Sequence, residues 1–225
     1  MAEKITLRSA IDGFEFTALH AAAEGARKGG VIVIQEIFGL DDYVQADVAR
    51  WSALGFEVIA PSMFDRQERG FLAKHDPAGV EKGVGYMQAN GMDNPVADIQ
   101  ACVDALKDKG PVFLVGYCYG GTVAWRAASK ATGLAAVSAY YGGGIPGMVD
   151  LPLNCPVVCH LGRKDAHIPA DTVSAAITAA HPEVPVHIYE NSGHGFNNDG
   201  RPDADLDDAK LARRRTLELF ETHGA

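Results

Sequence analysis

The chain is poor in several things. It has four cysteines, Cys102, Cys118, Cys155 and Cys159, in 225 residues, too few for a disulfide scaffold. Cys155 and Cys159 stand four apart but have no second Cys/His pair at ligand spacing, so no metal site is expected. Positive charge is also scarce: 20 Lys plus Arg against 29 Asp plus Glu leaves a formal charge of −9. That balance argues against sequence-independent binding to nucleic acid, which works by counterion release from basic patches. No apolar run approaches the roughly 18 residues of a membrane span. The N-terminus MAEKITLRSA has no apolar core of a signal peptide. The expectation is a cytoplasmic protein, a monomer, with neither membrane nor nucleic-acid partner. Repeats and low-complexity linkers are missing too, so residues 1–225 read as a single domain.

Hydrophobic residues make up 47% of the chain, enough for a sizeable core. Residues 3–8 and 14–20 read as strands of an antiparallel hairpin around Asp12-Gly13. Strand and helix patterns then alternate. Strands are expected at 31–35, 56–60, 111–116, 134–141, 156–161 and 184–190. Helices are expected at 42–54, 95–108, 119–131, 170–181 and 204–222. Residues 62–94, with five glycines, read as a loop plus a short helix, a flap over a site. The alternation predicts an α/β fold, a mostly parallel central sheet with helices on both faces. Sites in such sheets lie beyond the carboxyl ends of the strands.

Gly116-Tyr117-Cys118-Tyr119-Gly120-Gly121 directly follows the strand VFLV and opens a helix. Small residues there permit a tight turn that presents Cys118 at the top of the sheet, near the positive end of a helix dipole. The same G-x-C-x-G pattern fits a glutamine amidotransferase, and a buried cysteine in a glycine-rich turn is its plainest explanation. A thiol nucleophile needs a base. Of eight histidines, His194 stands among small residues (Ser192-Gly193-His194-Gly195) just past a strand, with His167 as its competitor. His160, inside a strand, reads as a core residue. Asp165 follows another strand and is placed to orient the base, or simply to cap a turn. The order Cys118, Asp165, His194, separated by 47 and 29 residues, is the nucleophile–acid–base order of α/β-hydrolases, which an amidotransferase would not show. Glu36, after the strand VIVI, is placed to face the nucleophile turn. The backbone N–H groups of Ile37 and Tyr119 are candidate oxyanion donors.

Q-E-I-F-G at 35–39, A-P-S-M-F at 60–64, G-Y-C-Y-G-G at 116–121, Y-Y-G at 140–142, G-R-K-D-A-H-I-P at 162–169 and S-G-H-G-F at 192–196 together resemble the dienelactone hydrolases, or carboxymethylenebutenolidases. The resemblance implies the α/β-hydrolase fold and a Cys118–His194–Asp165 triad acting on a small ester or lactone through a thioester. It implies no cofactor. It also implies that Glu36 contacts the resting nucleophile and helps generate its thiolate. Family members bind the substrate carboxylate with two arginines, one in the 60–90 region and one soon after the base. Here Asn198 stands where the second is expected, with Arg201 three residues on. Lys82 is nearest the first position, with Arg66 and Arg69 as alternatives. Phe38, Tyr86 and Tyr141 are further candidates for the substrate pocket. A thioesterase or general carboxylesterase on the same triad, and a non-catalytic ligand-binding or redox-sensing protein, are the competing readings.

Overall fold

The computed structural model describes residues 2–202 and 204–225. Eight strands form one sheet in the order β1-β2-β4-β3-β5-β6-β7-β8. These are β1 (Glu3–Arg8), β2 (Glu15–Ala21), β3 (Gly29–Ile34), β4 (Phe56–Pro61), β5 (Val112–Tyr117), β6 (Ala136–Tyr140), β7 (Val157–Gly162) and β8 (Val186–Tyr189). The predicted hairpin forms, with β1 antiparallel to β2 and β2 antiparallel to β4. The remaining pairings are parallel. Every residue of β3, β4, β5, β6 and β7 is buried, so both faces of the central sheet are covered.

Six α-helices connect these strands among the described residues: α1 (Asp42–Ala53), α2 (Pro77–Asn90), α3 (Asp93–Leu106), α4 (Tyr119–Lys130), α5 (Ala170–Ala180) and α6 (Leu206–Thr222). Asp41 caps α1 by accepting from the Val44 N–H at 3.0 Å, and Asp205 caps α6 through the Asp208 N–H at 3.0 Å. The closing helix is anchored by Phe220, which stacks on Phe113 at 4.4 Å beside Trp51 and Phe56. Burying such rings contributes roughly 1.5–3 kcal/mol each. None of these helices is long and apolar enough to cross a membrane.

The 62–94 segment differs from expectation. It carries α2, a helix of 14 residues, where a short one is predicted. Asp76 caps it at 2.8 Å through the Gly79 N–H, and Pro77 occupies its first turn. Within it, Gly79 and Gly83 are contact points and not breaks. A Cβ on Gly83 would lie 2.2 Å from the Ile37 carbonyl oxygen, so only glycine lets α2 lie down on the loop after β3.

Register explains what converges. In the β3–β5 pair Ile34 faces Gly116, so Glu36 and Cys118 each stand two residues past the last pairing on neighbouring strands. Gly162 faces Tyr189 in β7–β8, and Asp165 and His194 follow those ends.

Candidate active site

Cys118 occupies the turn from β5 into α4 with φ +56° and ψ −112°, a conformation that L side chains rarely adopt. Its N–H is held by the Tyr140 carbonyl at 3.0 Å. The turn closes because its flanks have no side chains. A Cβ on Gly116 would meet the Gly120 oxygen at 2.0 Å, and one on Gly120 would meet the Ile34 oxygen at 2.5 Å. The strain thus comes from close packing of β3, β5 and α4, and it projects the sulfur beyond the carboxyl end of β5, a central strand. The thiol is partly accessible, whereas Cys102 and Cys159 are buried.

His194 reaches this sulfur from the loop after β8. Its Nδ1 hydrogen-bonds Asp165 Oδ2 at 2.7 Å, which leaves Nε2 for its hydrogen bond with Cys118. The other oxygen of Asp165 accepts from the His167 and Ile168 N–H groups at 2.8 and 3.0 Å. One carboxylate therefore does both jobs weighed from sequence: Oδ1 builds the turn and Oδ2 orients the base. His167 gives Asp165 only its backbone N–H. Its ring is exposed and sits 5.9 Å from that of His194 at the mouth of the site. Burial pushes the His194 imidazole down, but Asp165 and the Cys118 sulfur outweigh it and hold its pKa up at about 10. Burial pushes the Asp165 carboxyl up, and its bonds to His194 and the two N–H groups bring it net below the ordinary value. His160 is, as expected, a core residue, bonded to the Tyr189 hydroxyl at 2.8 Å and to Thr216 at 3.2 Å.

Cys118 and His194 open into a cavity of about 570 Å³. Ile37 and Tyr119 line it beside the sulfur. Tyr119 is the first residue of α4, where a backbone N–H has no acceptor within the helix. The walls are largely apolar, built from Phe38, Val80, Met87 and Ile168. Arg201 is the guanidinium in the lining.

The expected contact of Glu36 with the resting thiol is replaced by an ion pair. Its Oε2 accepts from Arg201 Nη2 at 3.0 Å, and its buried Oε1 has no hydrogen-bond partner. Asn198, placed by sequence where an arginine is expected, is buried and uses its side-chain oxygen on the Gly200 N–H at 3.1 Å. That turn swings the chain back, which is how Arg201, three residues later, enters the cavity. Lys82 does not line it. Its ammonium pairs with Glu68 at 2.5 Å, and the Tyr86 hydroxyl bonds the same carboxylate at 2.6 Å. Val80, Gly83 and Met87 occupy the inner face of α2, so residues 82 and 86 fall on its flank. Arg66 is tied to Asp12 and Asp98, and Arg69 to the Glu15 carbonyl. Tyr141 lies behind the site. Its buried ring is 4.8 Å from that of His194, and its hydroxyl donates to Asn197 at 2.6 Å. His75 was not singled out by sequence. It stacks on Phe38 at 3.8 Å, bonds Asp41 at 2.9 Å and lines the cavity. Nothing in its local sequence, Ala73-Lys74-His75-Asp76, marks it, because its partner stands 34 residues away. Among the described residues no group of three or more His, Cys, Asp or Glu could hold a metal ion.

A strained residue between a parallel strand and a helix, with an acid and a base beyond later strands, defines an α/β-hydrolase. The sequence profile of the dienelactone hydrolase family matches residues 16–224, and the chain belongs to that family; it is a hydrolase of esters or lactones. The carboxymethylenebutenolidases of Pseudomonas putida and Pseudomonas knackmussii are each 30% identical to it over 229 residues, covering 98% of this chain and 96% of theirs. A solved structure from Klebsiella pneumoniae, provisionally assigned as a dienelactone hydrolase, superposes with a TM-score of 0.82 at 26% identity, covering 97% of this chain and 99% of that one. A dienelactone hydrolase-like promiscuous phosphotriesterase from metagenomic libraries, at 19% identity and a TM-score of 0.77, shares the fold over 100% of this chain and 99% of its own.

Proposed function

We propose that the enzyme works by acyl transfer to Cys118, with His194 as acid and base and Asp165 as its orienting partner. The observation that carries this is the continuous chain of contacts from Asp165 through His194 to the sulfur, at the floor of the 570 Å³ cavity. With His194 protonated, the sulfur attacks as thiolate. A bond forms from Sγ to the carbonyl carbon, and the Ile37 and Tyr119 N–H groups hold the developing oxyanion. As the C–O bond breaks, the leaving oxygen takes the proton from His194 Nε2, either in the same step or, where it first departs as an enolate, directly afterwards, so that the imidazole is left neutral. The thioester carries no charge on sulfur, so one of the two influences that hold His194 protonated is gone. The imidazole can then accept a proton from water, whose hydroxide attacks the thioester and releases the acid. The same logic supports a part for Glu36. A substrate anion that draws Arg201 away frees a buried carboxylate with an unused oxygen beside the nucleophile turn. No organic cofactor or metal enters this scheme, and the free cysteines suit a reducing cytoplasm.

Arg201 sets the substrate class. The walls present one guanidinium and mostly apolar side chains, a fit for an ester or lactone with an apolar body and at most one carboxylate. Arg201→Ala is expected to lower kcat/KM for dienelactone by about 10- to 100-fold, the cost of a lost charge-assisted pair. It should change the value for a carboxylate-free lactone of similar size by less than about threefold. Equal losses on both substrates would remove the anion-reading role. A panel that also includes acyl thioesters separates lactone opening from a thioesterase activity.

Thiol reactivity checks the nucleophile independently. Burial pushes the thiol of Cys155 up to about 11 and that of Cys159 up to about 12, and it raises that of Cys102 well above the ordinary thiol value. Iodoacetamide at pH 8 should therefore modify Cys118 at least about tenfold faster than the other three, read by peptide mass mapping. Uniform labelling of the folded protein would contradict the proposed pairing with His194.

A further inference from the structure

Behind the loop that carries His194 and Arg201 is a second, open cavity, of about 440 Å³, bounded by that loop, α1 and α6. The helical period builds one wall. Lys210, Arg213, Arg214 and Leu217 follow at i, i+3, i+4 and i+7 on a single face of α6, with Leu206 one turn before. Arg50 of α1 completes the cationic lining. Among the described residues, four cations thus face this cavity against one carboxylate, Asp199, in a chain whose formal charge is −9.

The inner wall is held rigid. Arg213 Nη2 bonds the buried Asp47 at 2.5 Å, and Asp47 is fixed in turn by the Trp51 indole at 3.0 Å and the Tyr117 hydroxyl at 2.7 Å. Arg213 Nη1 is buried and has no hydrogen-bond partner. Clamped on Asp47, the Arg213 guanidinium has little freedom left to lose, which favours binding at its exposed edge. The outer cations are held loosely. Lys210 stands 3.8 Å from Asp207 and Arg214 3.6 Å from Glu218, all four side chains well exposed, and such pairs are worth little. Arg50 pairs with Asp199. Leu206, 54% exposed, adds an apolar rim.

Guanidinium forks match phosphate oxygens, and although each of the four cations has a carboxylate partner, the exposed pairs of Lys210 and Arg214 are weak and Asp199 is the carboxylate that lines the cavity with them. We propose that the cavity binds a small organic phosphate, with Arg213, Arg214, Arg50 and Lys210 around the phosphate and Leu206 and Leu217 against its carbon body. The site is distinct from the catalytic cavity and stands or falls apart from the hydrolytic mechanism.

Calorimetric titration of the whole protein with phenyl phosphate tests it. Saturable one-to-one binding is expected, weakening as salt is raised. The double variant K210Q/R214Q, both exposed positions, should bind at least about tenfold more weakly at unchanged Tm. Protein alkylated at Cys118, and the variant R201Q, should bind as the unmodified protein does. Trp51, whose ring lies 5.2 Å from the Arg213 guanidinium, gives a second readout by fluorescence. No saturable binding, or binding lost in R201Q and kept in K210Q/R214Q, would overturn the assignment, the latter placing the anion in the catalytic cavity.

Discussion

Replacing Cys118 with alanine is expected to lower ester and lactone turnover on the order of 10⁴-fold or more while leaving Tm within a few degrees of the original. The magnitude follows from what removal of a covalent nucleophile costs where nucleophile and base act as a unit. The unchanged Tm follows from the turn. Its strain at φ +56° is imposed by the Gly116–Gly120 contact and by the Tyr140 carbonyl, all of them backbone features that alanine keeps. Loss of rate without loss of fold then assigns the chemistry to the sulfur. Cys118→Ser sharpens the point. A hydroxyl is a far weaker acid than a thiol, and the site is built to keep a proton on His194 and not to strip one from an alcohol. Serine should therefore recover little activity. Turnover by Cys118→Ala at more than a tenth of the original rate, on any substrate of the panel, would contradict the thioester route and favour direct attack by water.

The parts of this site legible in sequence are those where chemistry and strand ends coincide. Gly116, Cys118 and Gly120 are legible because a tight strand–helix turn admits few residue types, Asp165 because it follows an apolar run, and His194 because it follows another and stands among small residues. Register then placed Glu36 beside Cys118, but not the contact itself. Which partner a buried carboxylate takes depends on a turn at Asn198 and Gly200 that brings Arg201 inward, and such turns leave only weak local traces. Lys82 misled for a related reason. Its charge suited an anion, yet the helical phase of α2 turns Val80 and Met87 to the cavity instead, and that phase was hidden while the glycines suggested a loop. The sequence places Tyr141 in the pocket wall, whereas its ring backs the imidazole at 4.8 Å, a distinction that no spacing encodes. His75 shows the opposite failure, a wall residue defined entirely by partners distant in the chain.

Asp165→Asn should cost on the order of 10⁴-fold in kcat, comparable to the loss of an orienting acid in a serine triad, although asparagine fills nearly the same volume. Its oxygen can still accept from the His167 and Ile168 N–H groups, so the turn and the entry to α5 should survive. What is lost is charge at Nδ1, and with it both the tautomer and the support for a protonated ring. His194 is held at about 10, with Asp165 the first of the influences raising it against burial. In the original enzyme its proton should accordingly persist through neutral pH and leave near pH 10; in Asp165→Asn it should leave well below that. The sign for stability is fixed by the same shift. A histidine whose folded pKa is raised contributes stability in full below its unfolded value of about 6.5, and that contribution fades as pH rises towards 10. Asp165, shifted down, contributes in full above its unfolded value of about 3.9 and loses that contribution as pH falls through its lower folded value. The pair is thus most stabilising between roughly pH 4 and 6.5, and the variant should lose more Tm at pH 6 than at pH 10. Following the His194 ring proton by NMR against pH, together with melting curves at those two pH values, tests both halves. An unchanged titration near pH 10 in Asp165→Asn would show that the carboxylate does not hold the proton on the base.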